Sequence, residues 1–147
     1  MLREIGEQGW LSTTVAELAE ANYRLGKLNE AEAQTREAAE LGADDDVATQ
    51  MYWREVQAKI LARRGEHAKA VELAAEAVAI AETTDMLNGQ ADAFFGQGEV
   101  LAMAGDDLAA RSAFEEALSR YVRKGNQFGQ MRAQARLEAL PSGYASM

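Results

Sequence analysis

The sequence predicts an all-α fold, a stack of antiparallel helix pairs made of three repeats and a C-terminal capping helix. Three observations predict it. Hydrophobic residues make up 48 % of the 147 positions with Ala conspicuous among them, while Pro occurs once and the long Val/Ile/Thr alternation of a sheet is missing. Gly26, Gly65 and Gly105 recur at spacings of 39 and 40 residues, and Gln50, Gln90 and Gln130 recur at 40. Each of these glycines is followed five residues later by Ala31, Ala70 or Ala110, and seven further on by Ala38, Ala77 or Ala117.

The elements follow in order along a single domain, residues 1–147, with about seven helices expected and no sheet. Met1–Glu7 reads as the last turns of a helix closed at Gly6 or Gly9, so the stack is expected to continue upstream and the chain to be a piece of a longer protein. Repeat one covers about 10–43, repeat two about 46–83, repeat three about 86–124, and the capping helix about 127–140. Within each repeat the first helix ends in a turn: Leu-Gly-Lys-Leu-Asn-Glu-Ala (25–31), Arg-Gly-Glu-His-Ala-Lys-Ala (64–70) or Ala-Gly-Asp-Asp-Leu-Ala-Ala (104–110). The Gly takes the left-handed conformation that ends one helix, and the polar residues after it can satisfy the first free amides of the next.

Seven residues before each Gly stands Ala19, Ala58 or Gly98, small enough to let the paired helix approach closely. Val15, Leu18 and Leu41, then Val56, Leu61, Leu73 and Ile80, then Phe94, Leu101, Phe114 and Leu118 fill the remaining space. A single unit cannot bury this surface, whereas stacked units can. The junctions Asp44-Asp45-Asp46-Val47, Thr84-Asp85-Met86-Leu87 and Gly125-Asn126-Gln127-Phe128 place Asp or Asn where an N-cap belongs. The three consecutive Asp residues also suggest a cation site, but they lack the alternating ligands, Gly and distal Glu of a calcium loop. The capping helix ends at Pro141-Ser142-Gly143 and carries Gln130, Arg132, Gln134 and Arg136, which reads as a solvating end to the stack.

Composition excludes several function classes. With no Cys, neither a disulfide framework nor a thiolate site can form, and a reducing cytoplasmic setting fits. A net charge of −9 argues against nucleic acid as a partner, because tracking phosphates needs a basic stripe. The charge runs from −7 over residues 1–50 through −5 over 51–107 to +3 over 108–147. That gradient reads either as solvated helix faces or as end-to-end complementarity between copies or neighbouring domains. No apolar run approaches the ~20 residues that span a bilayer, so no membrane association is expected.

Catalytic groups are few, and no enzyme activity, cofactor or metal is expected. His67 is the only His and sits in a turn, where a ring packs between helices. Gly89 and Gly96-Gln97-Gly98 lack the Lys-Ser/Thr of a phosphate cradle. Asp106-Asp107 and Glu115-Glu116 are adjacent in sequence, so they point apart on a helix. Met86, Met103 and Met131 read either as an adaptable surface or as core filler. Gln50, Arg54 and Gln57 share one helix face with Gln90 and Gln97 at the equivalent places one unit on, either as a structural ladder or as a ligand-reading stripe.

The pattern of small residue, Gly, Ala and Ala resembles the tetratricopeptide repeat over nearly the whole chain. It departs from that family in its period of 39–40 rather than ~34, in lacking a unit-closing Pro, and in carrying Gln57 and Gln97 at a Leu-like position. The stretches 11–21, 45–54, 58–66 and 121–126 look like the C-terminal repeat region of bacterial signalling proteins that carry adenylate/guanylate cyclase and ATPase domains. The resemblance implies a right-handed superhelical α-solenoid and a cytoplasmic, regulatory, protein-binding role without cyclase activity. First helices of such units line a concave groove. Here that implies Thr13, Glu20, Tyr23 and Arg24, then Tyr52, Glu55, Lys59 and Arg63, then Asp92, Phe95, Glu99 and Met103 as peptide- or protein-binding residues. A protein or peptide partner is expected; the alternative is a structural module acting through the N-terminal face of Val15, Leu18 and Leu25, either by self-association as a weak homodimer or by intramolecular docking.

Overall fold

The computed structural model describes residues 14–42 and 47–141, which contain seven helices and no strand. Helix α1 occupies residues 14–24. It is followed by α2 (Leu28–Leu41), α3 (Val47–Arg63), α4 (His67–Glu82), α5 (Leu87–Met103), α6 (Asp107–Lys124) and α7 (Gln127–Ala139). The helix remnant expected at Met1–Glu7 and the caps expected at Asp44-Asp45-Asp46 lie outside the described residues.

One device ends four of these helices. Gly26, Gly65, Gly105 and Gly125 hold φ of 81°, 84°, 85° and 77°. In each case the residue after the Gly donates its N–H to the carbonyl five residues back: Lys27 to Asn22, Glu66 to Leu61, Asp106 to Leu101 and Asn126 to Tyr121, at 2.8–2.9 Å. This closure uses two of the carbonyls a helix end leaves free, and only Gly enters it without steric cost. The resulting turn is so short that consecutive helices must fold back on one another.

The other two junctions are built differently. Helix α2 stops at Gly42 with an ordinary φ of −73°, and a Cβ there would lie 2.7 Å from Thr49 Cγ2. At the end of α4 the Thr83 and Thr84 hydroxyls donate to Ile80 O and Ala81 O, and Thr84 Oγ1 accepts the Met86 N–H. The cap expected from Asp85 does not form: Met86 is the N-cap residue of α5, no side chain caps the helix, and Thr84 holds only the N–H of Met86 itself. Asn126 does cap α7, accepting the Gly129 N–H at 2.9 Å, and Asp106 caps α6 through the Ala109 N–H. Lys27 and Glu66, at the same place in the first two repeats, make no side-chain cap.

Pairs of helices run antiparallel, as their contacts show. Moving forward along α5 from Asp92 to Phe95, the partners on α6 move back from Tyr121 to Phe114. Gln57 and then Arg64 likewise meet Thr35 and then Asn29 of α2. First helices instead run alongside each other in the same direction. Glu20 of α1 meets Lys59 of α3, and Asn88 and Glu99 of α5 meet Asn126 and Arg136 on the α7 side. Helix α3 also packs on α5, across the intervening α4.

The small residues sit at these contacts. Ala19, Ala31, Ala38, Ala58, Ala70, Ala77, Ala110 and Ala117 are all 0 % exposed. Space at such a site is taken by neighbouring backbone, so Ala70→Leu or Ala110→Leu is expected to destabilise by about 1–3 kcal/mol through overpacking. Chemical unfolding measures it, and an unchanged midpoint for both variants would contradict the packing. Larger side chains follow the same helical period, with Ile60, Val100, Phe114 and Tyr121 fully buried. Leu18 of α1 and Leu25 in the turn that follows it are 48 % and 70 % exposed. Met86 and Met131 are exposed as well, so core filling accounts for Met103 but not for them. Among the described residues no helix is long and apolar enough to cross a membrane.

Candidate functional site

A cavity of about 430 Å3 opens on the side formed by the first helices, and every residue lining it comes from α1, α3, α5 or α7. Helical period explains the lining. Tyr52, Glu55 and Lys59 share one face of α3, Asp92, Phe95 and Glu99 one face of α5, and Glu17, Glu20 and Arg24 one face of α1. Because the first helices run alongside at the repeat spacing, equivalent positions meet as rows across the groove. One row holds Glu20, Lys59, Glu99 and Arg136, and another holds Ala16, Glu55, Phe95 and Arg132.

The first row alternates in charge and pairs itself. Lys59 Nζ donates to both Glu20 oxygens at 2.6 and 2.7 Å, and Arg136 lies 3.6 Å from Glu99. Arg24 adds a 3.1 Å contact to Glu20. Burial pushes the Glu20 carboxyl up, but the Lys59 and Arg24 charges outweigh it and hold the group below the usual glutamate range. Lys59 is also 4.9 Å from the centre of the Tyr23 ring.

In the second row Glu55 stands in the lining with Ala16 and Phe95, and among the described residues it forms no ion pair; the Lys59 charge one turn away offsets only part of its burial. Glu55 is only 9 % exposed, and its Oε1 is buried without a hydrogen bond among the described residues. Burial, followed by the charge of nearby Asp92, pushes its carboxyl well above the ordinary glutamate value. The Tyr52 hydroxyl is raised by burial and then by the charges of Glu55, Asp92 and Glu17. Asp92 accepts a hydrogen bond from the Tyr121 hydroxyl, and burial together with that carboxylate raises the Tyr121 phenol.

A group whose folded value is raised contributes stability below its unfolded value and loses it as the pH climbs through the folded one. Glu55→Gln is therefore expected to stabilise the chain at neutral pH by about 1–3 kcal/mol, since it removes an unpaired buried charge. The gain should vanish below the ordinary glutamate value of 4.5. Urea unfolding of both proteins at the two acidities measures it, and an equal difference at both would contradict the unpaired charge.

Of the twelve residues expected on the groove, Glu20, Arg24, Tyr52, Glu55, Lys59, Asp92, Phe95 and Glu99 line the cavity. Thr13 lies outside the described residues. Tyr23 packs beneath the lining at 4 % exposure against Ala19, Ala31, Val56 and Ile60, because it stands one turn after Ala19 on the packing stripe. Arg63 is drawn to that ring, 4.4 Å from its centre. Met103, the last residue of α5, folds onto the cluster of Ala58, Ala62, Ala70 and Ala74.

Sequence reading missed the contribution of α7. Arg132 lines the cavity, and Arg132 and Arg136 sit 4.4 and 5.3 Å from the centre of the Phe95 ring. Their one-turn spacing was the available signal, since it matches that of Phe95 and Glu99. The glutamine series joins helices instead: Gln57 accepts from Thr35 of α2, and Gln90 accepts from Arg120 of α6. Gln50 accepts from Arg54 within α3. His67 opens α4, half-buried, with Nδ1 covered and without a hydrogen bond among the described residues. No three acidic or imidazole groups among the described residues gather so as to hold a metal ion.

No protein-family model, curated protein or solved structure matches this chain, and its own geometry carries the functional reading.

Proposed function

We propose that this chain is a non-catalytic interaction scaffold that binds a peptide or helix in the groove of its first helices. The observation carrying this reading is the cavity lined by α1, α3, α5 and α7, with an aromatic ring and both signs of charge on its walls. Such a surface offers an extended ligand apolar contact and charge-assisted hydrogen bonds together. In this reading the helix pairs form a right-handed, tetratricopeptide-like superhelix whose concave face is the groove. The sequence resemblance to the repeat region of bacterial cyclase–ATPase proteins supports reading the chain as a cytoplasmic regulatory module of such a signalling protein.

Panning a random peptide library against the chain tests this. The enriched peptides are expected to bind at least ~10-fold more weakly to Tyr52→Ala and Arg24→Glu, the loss of one good anchor contact. They should bind normally to Glu72→Gln, on the exposed side of α4. Peptides that ignore both groove variants would contradict the proposal. A second reading, self-association through α1, is favoured by the exposure of Leu18 and Leu25. Sedimentation at rising protein concentration tests it. A dimer that strengthens with salt, as the acidic ends are screened, and weakens in Leu18→Glu supports that reading, and a concentration-independent monomer removes it.

A further inference from the structure

The cavity is not evenly charged once its internal pairs are counted. Five carboxylates line it against three cations. Glu20 is satisfied by Lys59 and Arg24, and Glu99 has Arg136 beside it. Arg132 is turned onto the Phe95 ring. Among the described residues, neither Glu55 nor Asp92 has a cation within ion-pair distance, and Glu55 Oε1 lacks any hydrogen-bond donor; Lys59 reaches both carboxyls and Arg132 reaches Asp92 only through their longer-range charge. Glu55 is the buried one of the two carboxylates and carries a standing cost that an incoming cation would remove, while Asp92 is exposed at the mouth of the cavity and already accepts from the Tyr121 hydroxyl.

The aromatic lining points the same way. Guanidinium groups already cover Trp53, Tyr23, Phe94 and Phe95, each 4.4 Å from the ring centre. Of the two aromatic residues that line the cavity, Phe95 is covered in this way, and no cation among the described residues covers Tyr52. A planar cation on Tyr52 would extend the chain's own mode of packing, and it would reach carboxylates on both α3 and α5. A metal ion fits less well, because the acidic groups do not converge as a ligand set.

We infer that the groove selects its partner by one arginine side chain, whose guanidinium enters between Glu55 and Asp92 and stacks on Tyr52. The inference rests on the groove reading and narrows it to a peptide carrying a basic anchor. Arginine is favoured over lysine because its fork of donors can serve two carboxylates at once, while an ammonium acts as a point charge. The chain's net charge of −9 would steer such a peptide toward the site.

Nα-acetyl-arginine methylamide is the direct probe, with the neutral citrulline counterpart as control and amide chemical shifts as readout. The arginine compound is expected to give saturable shifts around Tyr52, Glu55 and Asp92, and the citrulline compound none. Glu55→Gln and Asp92→Asn should each weaken binding at least ~10-fold, the range for losing a charge-assisted hydrogen bond. Glu72→Gln should leave it unchanged, and circular dichroism checks that every variant is folded. Equal responses to arginine and citrulline, or no saturable response to arginine, would overturn the inference.

Peptides from the library separate this failure from that of the groove. If they need Arg24 and Tyr52 but tolerate citrulline for arginine, the groove stands and the arginine anchor falls. Groove signals that move with protein concentration alone would place a second copy's basic end there and overturn the assignment to a partner peptide.

Discussion

Phe114→Ala is expected to lower the free energy of unfolding by about 3–5 kcal/mol, the range for removing a large aromatic side chain from a packed core. Phe114 is 1 % exposed and meets Phe95 edge-on, with ring centroids 5.3 Å apart. It also fills the space left by Gly98, where a Cβ would stand 2.7–2.8 Å from three atoms of the ring. Ala110 and Ala117 on α6 and Ala91 on α5, which share the Phe114 cluster, are too short to fill the vacancy. The groove should loosen as well, since Phe95 loses the ring that supports it from behind. Urea unfolding followed by helical circular dichroism measures the loss. A decrease below about 1 kcal/mol, less than one buried methylene or so, would contradict this account of the α5–α6 contact.

The complementary result concerns the glycines that face rings. Gly98→Ala and Gly129→Ala are each expected to destabilise by about 1–3 kcal/mol through overpacking, although Ala in place of Gly favours a helix interior by ~1 kcal/mol. At Gly129 the added Cβ would lie 2.4–2.6 Å from the Tyr121 ring, which is fully buried and tethered to Asp92 through its hydroxyl. The ring cannot swing aside without breaking that bond. Gly96 is the internal control, being helical with no heavy atom within 4 Å of its Cβ position. Gly96→Ala should therefore show only the gain in helix propensity. Equal effects at all three sites would mean that the close approaches do not govern stability.

The fold was legible because each repeat writes its turn and its contact in residue types with few alternatives. A Gly at the helix end and Ala at the helix contact are demanded by backbone conformation and by space. Gly26, Gly65 and Gly105 and the eight buried alanines accordingly stand where the pattern put them. Caps were less legible, since several residues can satisfy the same amide. Met86 stands at the N-cap of α5 in place of Asp85, and it, Lys27 and Glu66 all leave their helices without a side-chain cap.

Most of the groove stripe followed from period alone, but the fourth helix did not. Gln130, at an exact repeat spacing from Gln90, suggested that the 40-residue register continues through α7. Only Gly125 and Asn126 separate α7 from α6, whereas longer junctions separate α3 from α2 and α5 from α4, so the register advances. Arg132 and Arg136, rather than residues three further on, meet Phe95 and Glu99. Tyr23 could not be separated from true lining by spacing, because it borders both the groove face and the Ala19 packing stripe. The isolation of Glu55 was likewise invisible, since spacing puts Lys59 one turn away but does not show that its ammonium turns to Glu20.

The central claim is that the face shared by α1, α3, α5 and α7 receives another polypeptide. It is tested most directly by mapping amide chemical-shift changes as a library-selected peptide is titrated into the intact chain. The account predicts saturable changes concentrated at Glu20, Arg24, Tyr52, Glu55, Lys59, Asp92, Glu99 and Arg132, with little change on the exposed positions of α4 and α6. Changes confined to α4 and α6, with the groove residues silent, would contradict it.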